Sequence, residues 1–287
     1  MILVAGATGS LGRLIVRGLL ERGDAVRVLA RPSSDYALLQ QAGATVALGD
    51  MTDPDSLARA CEGASAVLTT ASVSKTGTDS IEHVDLQGNL NLIDAARTAG
   101  VGHFVFTSTL RASVDSPVPL FRAKGAAEQR LRESGMAWTV LKANAFMDVW
   151  FPMFVERPML AGEPVTLVGE SRGRHSFVAE RDVAAFAVAA LTHAAARNSA
   201  IDIGGPEALT FTDVVRAYEE GAGRPIPVRR VAPGDPIPGV PPPIWGMAAG
   251  LEQFDSVVPM DEASRRYGVT LTSVRDFARG RLAAHAS

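Results

Sequence analysis

The amino-acid sequence predicts an α/β protein built on a doubly wound parallel sheet with a smaller C-terminal lobe, and three observations carry that reading. Short apolar runs alternate with longer segments of helical period, a glycine cluster sits where the first run meets the first helix, and glycines close most of the helices. Alternation of this kind demands right-handed crossovers, which bury a parallel sheet between two helical layers.

The series opens with ILVAG and LGRLIVRGLLERG, then VRVLA and DYALLQQAG, TVALG and DPDSLARACEG, AVLTTAS and SIEHVDLQGNLNLIDAARTAG. HFVFTST, AKGAAEQRLRESG and WTVLKANAF continue it. Gly23, Gly43, Gly63, Gly100 and Gly135 stand where a left-handed residue is needed to end a helix. Residues 1–145 are read as one domain and 146–287 as the lobe that carries the substrate. In the lobe, the aromatic run FMDVWFPMF precedes a strand-like PVTLVG, an alanine-rich helix from Arg181 and a strand near 200–204. The proline-rich stretch 225–243 reads as an ordered connection or lid hinge, and helices around 243–254 and 272–284 close the chain.

Composition narrows the classes of function. A formal net charge of −3, with no Lys/Arg run longer than two, leaves no electrostatic footprint for nucleic acid or an anionic membrane. The single cysteine, Cys61, rules out an internal disulfide and fits a reducing compartment, where it packs as a small hydrophobe. VAAFAVAAL at 183–191 is too short to span a bilayer, and MILVAGATG opens on a strand rather than a leader, so a cytoplasmic protein is expected. With no HExxH and no paired CxxC, no metal is expected. Monomer and homodimer both stay open.

GATGSLG, residues 6–12, lies between the first strand and the first helix, the context that makes a glycine pattern a dinucleotide fingerprint of the Rossmann type. Gly6 makes the tight turn, Gly9 lets the backbone approach a pyrophosphate, and Gly12 lets helix and strand pack closely. The intervening Thr8, Ser10 and Leu11 bring their amides to the same helix N-terminus, where phosphates bind. About 20 residues on, where an acid would accept from a free ribose hydroxyl, the chain has Arg31 with Ser33 beside it. A guanidinium fork suits a 2′-phosphate, so the expected cofactor is NADPH/NADP.

GATGSLG, the Gly49-Asp50 pair in LGDMTD, TTAS at 69–72, HVDLQGNLNLIDAA, FVFTST, Lys124, GMAWTVLKANAFMD and RDVAAFAV together resemble an atypical short-chain dehydrogenase/reductase of the NmrA-like group, over nearly the whole chain. The resemblance implies that Asp50 and Met51 border the adenine, that Thr70, Ala71 and Ser72 line the middle of the cofactor, and that Ala143, Asn144 and Phe146 border the nicotinamide. It also implies a seventh strand at AIDIGG.

Reductases of the wider superfamily use a tyrosine acid, a lysine four residues later and a serine that binds the reacting oxygen. Aligning the lysine with Lys124 puts Leu120 in the tyrosine's place, and none of Tyr36, Tyr218 and Tyr267 is followed four residues on by lysine. The serine position falls at Thr109, with Ser108 adjacent. Lys124 is then expected to bind the ribose and contribute positive charge, against the alternative of a solvated helix lysine. Lys142-Ala143 also replaces the group's usual Arg-Pro.

Three classes of function follow. One is a reductase whose substrate stabilises its own nascent oxyanion: an aromatic polyketide-type ketone, in character nearest the angucyclinone-type ketoreductases of antibiotic biosynthesis, or a quinone. Its pocket would be lined by Leu110, Phe146, Met147, Trp150, Phe151 and Trp245, with His175 as a fallback donor. The second is a regulator that senses NADP(H) without chemistry. The third, an epimerase, keeps the tyrosine and ranks last.

Overall fold

The computed structural model describes residues 1–73 and 79–286. The chain divides into two units, the first comprising Met1–Ala143, Val183–Asp202 and Tyr267–Val269, the second Asn144–Asp182, Ile203–Arg266 and Thr270–Ser287. The first break falls two residues before the one the sequence indicates, and the chain later returns to the first unit to add a strand.

Six strands come first: β1 (Ile2–Ala5), β2 (Val26–Ala30), β3 (Thr45–Leu48), β4 (Ala66–Thr69), β5 (His103–Thr109) and β6 (Ala137–Ala143). Between them lie α1 (Ser10–Glu21), α2 (Ala37–Gln41), α3 (Pro54–Cys61), α4 (Asn89–Thr98), which a π-helical stretch Glu82–Gly88 leads into, and α5 (Pro119–Arg132). The chain continues through α6 (Met147–Phe151), a second π-helical stretch Pro152–Glu156, α7 (Arg157–Ala161), β7 (Val165–Val168), α8 (Glu180–Ala190) and β8 (Ser199–Ile203). It ends with α9 (Phe211–Ala222), β9 (Val228–Val231), α10 (Pro242–Gln253), α11 (Asp261–Tyr267) and α12 (Val274–Ala286).

The large sheet is parallel, in the order β3-β2-β1-β4-β5-β6-β8. Leu3, Leu57, Phe104, Phe106 and Val140 fill one of its faces. Helix α1 turns Leu11, Ile15, Val16 and Leu19 inward, as its apolar spacing dictates. All five helix-closing glycines take positive φ. The strand order reverses between β1 and β4, the place where ligands of open α/β sheets bind beyond the carboxyl ends of the strands. Cys61 is buried, which pushes its thiol up to about 11.

The second unit has its own core, in which Phe151 meets Phe177, Tyr218 and Phe277 edge-on at ring-centre distances of 5.1, 6.3 and 5.7 Å. Its two-stranded sheet pairs β7 with β9 in parallel. The proline-rich stretch thus holds a strand as well as loops: Val228-Arg-Arg-Val231 is free of proline and lies at a sheet edge, where the flanking prolines are tolerated. Among the described residues no helix is long and apolar enough to cross a membrane.

Candidate functional site

In the turn after β1, Gly6 has φ 74°, and a Cβ there would lie 2.6 Å from Thr70 Oγ1 and 2.7 Å from Ala71 N. A Cβ on Gly12 would lie 2.1 Å from Gly6 O. Gly9 differs, because a Cβ on it would touch only Gly6 O at 3.4 Å. The position is open, and no side chain caps α1 there. The amides of a helix's first turn project from its N-terminus and favour an anion. An open cradle over Gly9 at the strand-order reversal fits a dinucleotide pyrophosphate. Leu11 is buried, so only its backbone serves such a site, while Thr8 is half-buried and Ser10 exposed.

Arg31 follows β2 and is ion-paired to Asp79 at 2.6 Å, both partly exposed, and Ser33 is exposed nearby in the chain. The Asp50 carboxylate accepts from Thr52 N and Oγ1 at 2.8 and 2.7 Å. Partial burial raises its pKa, but these hydrogen bonds and the Arg31 charge outweigh that and hold it below the ordinary value. Met51 packs against Gly88 and accepts from Asn91 through its carbonyl. The Thr70 hydroxyl donates to Gly6 O at 3.2 Å, and Ala71 N donates to Thr69 Oγ1 at 3.1 Å, which ties the turn after β4 to the glycine turn.

Lys124 is neither a solvated lysine nor an isolated one. It is buried in α5, with Nζ 3.3 Å from Asp85 Oδ1, 3.3 Å from Ala71 O and 5.0 Å from the centre of the Phe106 ring. Burial lowers its pKa, and the Asp85 charge and hydrogen bond only partly offset that. Asp85 also accepts from the Ser72 hydroxyl at 2.6 Å and Val73 N at 2.9 Å. Asp85 has a faint signal in the sequence: with Asn89 it occupies the stripe that Leu92, Ile93 and Ala96 continue into the core.

Several expected residues have other tasks. Ser108 donates to the buried Glu128 at 2.5 Å, because strand alternation turns its side chain toward α5. Thr109 ends β5 half-buried, and Leu110 follows it half-buried. Ala143 is buried at the end of β6. The Asn144 amide donates to Ser256 O at 2.8 Å and accepts from Ala145 N at 2.8 Å. Met147, Trp150 and Phe151, expected at the wall of a pocket, are buried in the core of the second unit, into which α6 turns them. Phe146 is half-buried, and Trp245 donates from Nε1 to Val240 O at 2.8 Å. His175 is no free proton donor: its ring nitrogens lie 2.7 Å from Ser256 Oγ and 2.7 Å from Leu251 O.

The run Gly169-Glu170-Ser171-Arg172-Gly173 has the G-x-S-x-G spacing of a hydrolase nucleophile turn, and Ser171 takes φ 56° just past β7. Its hydroxyl oxygen accepts from Thr212 N at 3.0 Å, and both ring nitrogens of His175 are engaged elsewhere, with Ser256 Oγ and Leu251 O.

A family model described as NAD(P)H-binding matches residues 6–194. The NAD(P)H azoreductase of Xenophilus azovorans is 37% identical over 226 residues, 79% of this chain and 75% of the relative. The photosystem II assembly factor Ycf39 of Cyanophora paradoxa is 33% identical over 230 residues, 80% of this chain and 71% of the relative. In fold, the chain matches the NADPH-dependent quinone oxidoreductase QOR2 of Escherichia coli in complex with NADPH, with a TM-score of 0.84 at 22% identity, over 98% of this chain and 100% of the other.

Proposed function

The chain belongs to the NAD(P)H-binding family, and from that premise we propose that it is an NADPH-dependent reductase acting on a flat conjugated acceptor, a quinone or an aromatic polyketide-type ketone, without a tyrosine acid. The observation that carries this reading is the buried Lys124 beside the turn after β4, with Leu120 one helical turn before it where an acid would stand. NADPH, when bound, supplies the hydride. The free backbone amides at the start of α1 would receive its pyrophosphate, Arg31 its 2′-phosphate and Lys124 its ribose.

The absent acid selects the acceptor. Losing one donor to a developing oxyanion costs about 3–4 kcal/mol, which an isolated ketone would bear in full. A quinone becomes a stable phenolate, and a ketone beside its own phenol is protonated internally. The likeness to an azoreductase and a quinone oxidoreductase favours the quinone. A second reading, a non-catalytic NADP(H)-responsive protein, is supported by the likeness to an assembly factor.

NADPH oxidation measured against simple quinones, hydroxyanthraquinones and isolated ketones separates these readings. Turnover of the first two with no turnover of isolated ketones is the expected result. Silence across the panel with tight NADPH binding would favour the non-catalytic protein, and brisk turnover of isolated ketones would reveal an acid and overturn the proposal.

A further inference from the structure

Asp85 has no solvent exposure, and its carboxylate gathers donors from two other parts of the chain: the Ser72 hydroxyl at 2.6 Å and Val73 N at 2.9 Å after β4, and Lys124 Nζ at 3.3 Å from α5. The backbone that carries it is itself held, since the Asn89 side-chain amide donates to Asp85 O and Val84 O at 3.1 Å each and to Ala71 O at 3.5 Å. Among the described residues Asp85 is the one charged group that acts on Lys124; Ala71 O and the Phe106 ring complete the amine's surroundings. Lys124 has three N–H donors, and two of them are taken up by Asp85 and Ala71. It stands beside the turn at the carboxyl end of β4, next to the strand-order reversal where a dinucleotide binds.

We propose that Asp85 is the positioning residue of the cofactor site: it keeps the Lys124 ammonium charged and fixed in place, and locks the Ala71–Val73 turn against it, so that the arriving cofactor meets a preset cation. A buried ammonium that loses its counter-ion gives up its proton readily, because no water remains to solvate the charge. Removing Asp85 therefore converts a fixed cation into a group whose charge depends on pH. This inference rests on NAD(P)H binding and not on reduction, so its test uses no acceptor.

The test is calorimetric titration of NADP⁺ from pH 7 to 9.5 into the wild type, Asp85→Asn, Lys124→Met and the double variant, each expressed as a ratio of Kd to the wild type at the same pH. The Asp85→Asn ratio should grow by about tenfold or more as pH rises, as the amine discharges. Lys124→Met should bind weakly with a ratio that does not grow with pH, and the double variant should match it. An Asp85→Asn ratio that stays near one, or Lys124→Met binding as tight as wild type, overturns the proposal. If Asp85→Asn does not fold, Asp85→Glu decides: it keeps the charge, so its ratio should be flat, and a ratio that climbs with pH would contradict the role given to Asp85.

Discussion

Gly9 and Gly12 are three residues apart in one turn, yet a methyl group would meet different surroundings at each. Gly9 has φ −75° and ψ 167°, which any residue adopts, and only Gly6 O at 3.4 Å lies in the way of a Cβ. Gly9→Ala should therefore fold with a stability change within about 0.5 kcal/mol and yet lose NADPH affinity, because the added carbon occupies the place of the pyrophosphate. Gly12→Ala would drive a Cβ to 2.1 Å from Gly6 O and 2.7 Å from Ala7 Cα, backbone atoms that cannot step aside. Its expected cost is about 3 kcal/mol. Urea unfolding beside calorimetric binding checks both, and equal stability losses in the two variants would contradict the assignment of Gly9 to the ligand. His103 makes a second residue-scale prediction. Thr139 gives its proton to Ala196 O, so the His103 ring donates from Nε2 to Thr139 Oγ1, and Nδ1 is left buried without a partner. Burial, helped by the Arg197 charge, pushes its pKa down to about 4. Between pH 6.5 and 4 the unfolded chain binds a proton that the folded chain refuses, so stability falls as pH drops through that window, by about 3 kcal/mol in all. Above pH 6.5 the residue has no effect. His103→Asn should remove this portion of the fall, and parallel curves for the two proteins at pH 7, 5.5 and 4 would rule the assignment out.

At the scale of elements, what the sequence made legible was set by how local each signal is. Strands β1 to β6 and their helices announce themselves through apolar period and closing glycines, both contained within a dozen residues. Strand β9 is hidden among prolines, and α11, DEASRRY, buries none of its residues and so carries no apolar stripe. The aromatic run in α6 shows the limit of composition: a wall residue and a core residue need the same side chain, and only the packing against Phe177, Tyr218 and Phe277 assigns Phe151 to the core. The candidate site divides the same way. The glycine turn is contiguous and was legible, whereas the Asp85–Lys124 pair spans 39 positions, and its only trace is a pair of polar residues on an apolar helix face. The partner of Ser108 is equally hidden, because Glu128 lies 20 positions away on the neighbouring helix.

At the scale of the whole molecule, cofactor choice should be visible as stability. A ligand that binds only the folded chain at 100 times its Kd adds about 2.7 kcal/mol, which for a chain of this size raises the melting temperature by about 5 °C. Arg31 decides how that gain divides between NADPH and NADH. Its guanidinium is paired with Asp79 at 2.6 Å, but both groups are partly exposed, and such pairs contribute little. A dianionic 2′-phosphate that takes two donors from the guanidinium fork outcompetes one carboxylate held by surface attraction alone. At equal concentrations NADPH should therefore raise the melting temperature further than NADH does, and in Arg31→Ala the NADPH shift should shrink to the size of the NADH shift while the latter stays as it was. Should Arg31→Ala preserve the gap between the two cofactors, the phosphate is read by another group, and the argument from the end of β2 to NADPH fails at that residue while the glycine turn and its dinucleotide stand.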